Sequence, residues 1–169
     1  MIRLSRRQLL LTSTAAAVLP RMAQAADYQE ITWDDLIPPG VPYSEIIGNG
    51  EMDVMNDTWN PVFDENGVKL NMALDGMAVK LPGYIIPIDV GTEGVTSFVF
   101  VPYTGACIHV PPPPPNQVVF VTSETPWPND QLFDAVWVYG IMSAKLQSNE
   151  LAQMGYEIEA EKMEIYEWT

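Results

Sequence analysis

The chain has one cysteine, Cys107, and one histidine, His109, and they stand two residues apart. In an extended segment, residues i and i+2 project from the same face. The Cys107 sulfur and the His109 ring therefore point the same way, and Ile108 points opposite. A thiolate and an imidazole are good ligands for zinc and also for copper. Two ligands do not close a tetrahedral site, and the chain offers no further Cys or His. The rest must come from carboxylates, water or a partner; Asp75, Asp89, Glu93 and Glu124 are candidates because they lie near predicted strand ends. The same pair is also the beginning of a Cys/His nucleophile. Parallel side chains on one strand do not face each other, however, and no Asn or Asp at a recognisable spacing orients the imidazole. The chain is therefore not read as an enzyme. The plainer alternative makes Cys107 a small buried hydrophobe and His109 a hydrogen-bonded core residue. The nine methionines are scattered, with no Met-x-Met cluster, and read as core filler.

Five consecutive prolines lie just beyond the pair and bear on its rigidity. Pro111, Pro112, Pro113, Pro114 and Pro115 predict a polyproline II rod about 15 Å long at about 3.1 Å per residue. Val110, preceding a proline, is pushed out of the helical region, so the backbone stays extended up to His109. Gly105 on one side and the rod on the other would hold the pair with little entropy left to lose, as a ligand site requires. Proline rods also dock in aromatic-lined grooves. Pro111, Pro112, Pro113, Pro114, Pro115, Asn116 and Gln117 are therefore the candidate partner-binding segment, with Trp127 an internal alternative for the rod to pack on.

The elements that must carry this segment are strands. Residues 77–88, 95–103, 117–121, 135–142 and 156–168 are apolar, β-branched or alternating. Gly83 and two prolines imply a strong bend in the first of these, and Gly140 interrupts the fourth. In the last, the apolar parity changes between Ala160 and Met163, which predicts a bulge. Residues 143–154 are the one plausible helical insert. Five short strands with glycines in the first and fourth predict a mainly β chain, a small OB-like five-stranded barrel over residues 76–169. Residues 26–75 read as an irregular N-terminal segment packed on that barrel. In it, Thr32 and Asp35 have capping-box spacing, and Trp59 and Phe63 are the expected anchors.

The run GACIHVPPPPPNQ, together with the strands around Pro82-Gly83-Tyr84 and Trp137-Val138-Tyr139-Gly140, resembles the bacterial family catalogued as domain of unknown function 3299. The likeness extends over about residues 30–168. It implies export, and similarity to products encoded beside zinc-regulated genes for an ABC-type transport system. It implies no established activity.

Residues 1–25 fit an export signal: Ser5-Arg6-Arg7-Gln8-Leu9-Leu10 resembles a twin-arginine consensus, and Ala23-Gln24-Ala25 is an A-x-A cleavage pattern. Cleavage there removes every arginine and leaves four lysines against 22 acidic residues, a formal charge of −18. Such a surface repels phosphate backbones and anionic lipid, which excludes nucleic acid as a partner. No apolar run reaches the roughly 20 residues of a membrane span. The expectation is a periplasmic accessory protein. It would bind a divalent transition metal, zinc first, through Cys107 and His109, and assist a transporter or other envelope protein. The alternative is a metal-free OB-like interaction module of the envelope.

Overall fold

The computed structural model describes residues 27–53, 58–105, 112–128, 133–148 and 153–167. Eight strands succeed one another in chain order: β1 (Gln29–Glu30), β2 (Ile46–Asp53), β3 (Thr58–Phe63), β4 (Ala78–Gly91), β5 (Gly94–Val101), β6 (Val119–Trp127), β7 (Ala135–Ser148) and β8 (Gln153–Ile165). The large sheet runs β1-β4-β5-β6-β8-β7, and a further β4–β7 pairing closes its last five strands into a barrel. Every neighbouring pair in the ring is antiparallel except β6–β8, which is parallel. The predicted mainly β, five-stranded OB-like barrel is the fold observed.

Closure depends on β4 serving two partners. Its first half, Ala78 to Tyr84, pairs with β7, and its second half, from Tyr84 on, pairs with β5. Tyr84 is shared between Ala135 and Val101, so the strand turns at Gly83–Tyr84. A Cβ at Gly83 would lie 2.8 Å from both the Phe100 and Trp33 rings and 2.9 Å from the Val101 carbonyl, so only glycine fits the bend. The alternation of buried and half-buried residues is strict from Ala78 to Ile85. Val79, Leu81 and Ile85 are buried inside the barrel, beside Phe98 and Phe100 of β5, Val119 and Val121 of β6, Val136 and Val138 of β7, and Tyr156 and Ile158 of β8.

The bulge expected in the last strand is present. Tyr139 pairs with Lys162 but Gly140 with Ala160, leaving Glu161 as the extra residue. Ile158 and Ala160 face the core before the bulge, and Met163 takes over after it. Gly140 lies opposite, where a Cβ would come within 2.1 Å of the Glu159 carbonyl oxygen.

Three expectations are corrected. Among the described residues of the expected helix, 143–148 and 153–154 are strand: β7 continues to Ser148 and β8 starts at Gln153, with Ser143 opposite Glu157 and Ser148 opposite Gln153. Ala144, Lys145, Leu146 and Gln147 have good helix propensity, but Met142 and Ala144 are buried while Ile141, Ser143 and Lys145 are exposed. That alternation with a partner strand outweighs propensity. The N-terminal segment, moreover, contains an antiparallel hairpin, β2–β3, that forms a sheet of its own. Finally, Trp59 and Phe63 are on that hairpin and neither packs on the barrel core. Ile31, Leu36 and Leu74 are buried there instead, with Trp33 and Leu70 against them. Burying each of the three aliphatic side chains contributes about 1.5–3 kcal/mol. The Thr32–Asp35 pairing holds: the Asp35 carboxylate accepts from the Thr32 backbone N–H at 2.7 Å and its hydroxyl at 2.8 Å, opening the Trp33–Leu36 turn.

Gly140→Ala is expected to cost about 3 kcal/mol, the upper range for overpacking, because the obstacle is backbone. Gly40→Ala is the milder comparison: Gly40, unlike Gly140, has a positive φ, +82°, but nothing lies within 4 Å of its Cβ position. Thermal denaturation of the two variants side by side checks the difference.

Candidate functional site

The connection between β5 and β6 carries the Cys-x-His motif. The strands it joins are direct neighbours, ending at Val101 and restarting at Val119. Neighbouring antiparallel strands need only a few connecting residues, so the connection is longer than the topology demands. Cys107, His109 and Pro111 lie outside the described residues. The two stems of the connection do not. On the β5 side, residues 102–105 turn, with Gly105 at φ +80°. On the β6 side, Pro114 has φ −63° and ψ 158°, a polyproline II conformation, and Pro115–Gln117 then forms a 3-10 turn. The expected five-proline rod is therefore corrected at its end: it stops at Pro114, and Pro115 occupies the first position of the turn, where a missing N–H costs nothing.

The turn is built into the molecule. Asn116 is 1% exposed and Gln117 6%. The Asn116 amide donates to the carbonyls of Asn66 at 2.9 Å and Lys69 at 3.2 Å, and the Gln117 amide donates to the Trp33 carbonyl at 2.8 Å. Pro113 and Pro115 are buried and Pro112 and Pro114 half-buried. Of the seven residues expected to bind a partner, Asn116 and Gln117 thus spend their amides on this chain's own N-terminal segment. Asn116 Oδ1 is buried and accepts no hydrogen bond among the described residues.

The segment receiving these bonds is itself fixed to the barrel through one hydroxyl. Tyr156 is fully buried in β8, and its OH donates to the Leu36 carbonyl at 2.6 Å while accepting from the Asn71 backbone N–H at 2.6 Å. Burial is the main influence on this phenol, raising its pKa from 10.0 to about 12, with the Asn71 bond opposing. Trp33 adds a second attachment: its indole N–H donates to the Pro82 carbonyl at 2.7 Å and its ring stands 5.6 Å from Phe100. Gly155 lets the layers meet, since a Cβ there would be 2.6 Å from Leu70 and 2.8 Å from the Pro115 carbonyl. At the segment's other end, the Ser44 hydroxyl and then the Asn66 backbone and side-chain amides hold the Asp64 carboxyl below the usual carboxylate range. Sequence reasoning missed Tyr156, Asn66 and Gly155. None of the three carried a local signal: Gly155 fell between the expected helix and the strand starting at Tyr156, and only the structure places it inside β8.

Between the stems, the outer face of the barrel is also apolar. Val99 and Val101 of β5, Val118 and Met154 are buried in a second cluster, joined by Tyr84, Ile86, Ile88, Tyr103 and Phe120. These are the alternates of the residues that fill the barrel interior, so β4, β5 and β6 are apolar on both faces. The carboxylates that could complete a metal site are scattered. Asp75 accepts from the Ala144 backbone N–H at 2.9 Å. Glu93 precedes the β5 residue farthest from Val101, about 23 Å away at about 3.3 Å per residue. Glu124 lines a separate groove of about 420 Å³ with Glu159 and Glu161. Among the described residues, no three His, Cys, Asp or Glu side chains converge to hold a metal, and no helix is long and apolar enough to cross a membrane.

Tyr156→Phe keeps the packing but strands the Leu36 carbonyl and the Asn71 N–H, and is expected to cost about 1–3 kcal/mol in urea denaturation. The phenol pKa is raised on folding, so its stabilisation is complete below about pH 10. It is lost as the pH rises towards about 12, because the unfolded chain releases the proton first. Wild-type stability should therefore fall across that window more steeply than that of the Phe variant.

A family model described as "Protein of unknown function (DUF3299)" matches residues 33–165. A crystal structure of a DUF3299 family protein from Pseudomonas aeruginosa PAO1 is 35% identical, with a TM-score of 0.66, covering 84% of this chain and 98% of that one. No curated protein matches. With the family model spanning most of the chain and a solved member aligned over nearly its whole length, the chain belongs to the DUF3299 family.

Proposed function

We propose that this protein is a periplasmic accessory protein that binds a divalent transition metal, zinc first, through Cys107 and His109. The observation that supports it most is the anchoring of the motif's two stems. A connection longer than its strands need begins at the end of β5, where Val101 is paired with Tyr84, and is tied down at Asn116 and Gln117 by three hydrogen bonds to backbone carbonyls. The chain's one thiol and one imidazole stand between these fixed points. Anchored stems lower the entropy lost when two side chains converge on one ion. With two protein ligands, the ion keeps positions for water, a carboxylate or a partner's side chain, which suits transfer better than permanent structural binding. An accessory role to an ABC-type transport system fits such an ion on its way elsewhere. Export through the twin-arginine signal of residues 1–25 would deliver the chain already folded.

Zinc titration against a competing chromophoric chelator tests the site on the wild type beside Cys107→Ser and His109→Ala. Each substitution is expected to weaken binding by more than the roughly tenfold typical of losing an outer-shell partner. Affinity should also fall as the pH drops and both ligands take up protons. Equal, weak binding by all three proteins would rule out the metal. Separately, Arg6→Lys with Arg7→Lys is expected to retain the protein in the cytoplasm on cell fractionation; unchanged export would remove the twin-arginine route.

A further inference from the structure

We propose that the β2–β3 hairpin is a docking surface for a basic, apolar segment of another protein. The hairpin register places Ile46 opposite Phe63 and Met52 opposite Trp59. With Pro61 between Trp59 and Phe63 in the alternation, five apolar residues share one face of this two-stranded sheet. Ile46 is 43% exposed and Met52 61%, and the bulge residue Ile47 between them is 66% exposed. None of the five belongs to either hydrophobic cluster of the barrel. A two-stranded sheet is marginal in water by itself; on this face Trp59, Pro61 and Phe63 are half-buried, and the exposed Ile46 and Met52, with Ile47, are the apolar side chains left for an interaction.

The charge around the face selects the occupant. Residues 27–68 contain ten Asp and Glu and no Lys or Arg. Glu45 precedes β2 and Glu65 comes after β3, and both are exposed; Glu51, opposite Asn60, is exposed on the other side of the hairpin. A second copy of the chain would bring these carboxylates against their own kind, which is unfavourable. Nucleic acid and anionic lipid are repelled for the same reason. A polypeptide that alternates Lys or Arg with aliphatic residues satisfies both features, its apolar side covering Ile46 and Met52 and its cations meeting the rim. The surface is independent of the metal reading, because substitutions on the hairpin leave Cys107 and His109 in place.

Fluorescence anisotropy of a labelled peptide of alternating valine and lysine, titrated with the full chain, tests this, with the valine–glutamate peptide as its counterpart. The lysine peptide is expected to bind and the glutamate peptide not. The Ile46→Ser/Met52→Ser double variant, in which exposed side chains are changed at constant charge, is expected to bind about tenfold more weakly or worse. Glu124→Gln/Glu161→Gln, which removes two charges from a groove lined by β6, β7 and β8 and by no hairpin residue, should bind like the wild type. Circular dichroism confirms that both variants remain folded. The proposal is overturned if the double variant binds as tightly as the wild type, if the Gln variant loses as much, or if the lysine peptide does not bind. Sedimentation showing a dimer that the double variant abolishes would also overturn it, by identifying a second copy as the occupant.

Discussion

The bend of β4 at Gly83–Tyr84 is the constraint on which the molecule depends. One strand must pair with β7 along its first half and with β5 along its second, because otherwise the sheet has two open edges and no interior. Glycine permits the turn, since Phe100, Trp33 and the Val101 carbonyl occupy the volume a side chain would need. Closure then removes the edges of five strands together and fixes which face of each looks inward. It puts Phe98, Phe100 and Tyr156 on the inner side, and the outer cluster of Val99, Val101 and Met154 on the other.

A second layer of order is polar. Among the described residues, the N-terminal segment pairs with the barrel strands only through two residues of β1 on β4. It is retained by side chains that satisfy its main-chain groups: Tyr156 at Leu36 and Asn71, Asn116 at Asn66 and Lys69, and Gln117 at Trp33. Buried carbonyls left without donors cost more than the same bonds contribute when made. Each of these amides and the one hydroxyl therefore fixes a specific approach of the segment to the barrel. Asn116 and Gln117, which secure the segment, also end the connection between β5 and β6.

This arrangement separates the molecule into surfaces of different chemistry. The strands that flank the β5–β6 connection, β5 and β6, carry a buried apolar cluster of their own. The β2–β3 hairpin shows apolar side chains within an acidic surround. On β7 and β8, by contrast, charges and rings are matched internally. Lys80 lies 4.8 Å from the Trp137 ring and pairs with Glu30, while Lys162 lies 4.8 Å from the Tyr139 ring and pairs with Glu164. Tyr139 donates to Glu164, and that bond is the main reason its phenol is raised to about 12. A face that satisfies itself in this way has little left to offer a ligand.

The sequence by itself determined the barrel. Alternating β-branched residues, glycines at 83 and 140 and the parity change before Met163 are local signals, and each reports a period of two or its interruption. The Thr32–Asp35 pairing is equally local. Only the tertiary structure decided what depends on partners distant in the chain. The extension of β7 through Ala144 to Ser148 exists because β8 supplies the other half of its ladder, against the helix propensity of the residues. The inward burial of Asn116 and Gln117 exists because Asn66, Lys69 and Trp33 present carbonyls to them. Size alone would place Trp59 and Phe63 on the core. Size measures how much area a side chain can bury, whereas the partner that buries it is set by the folded chain.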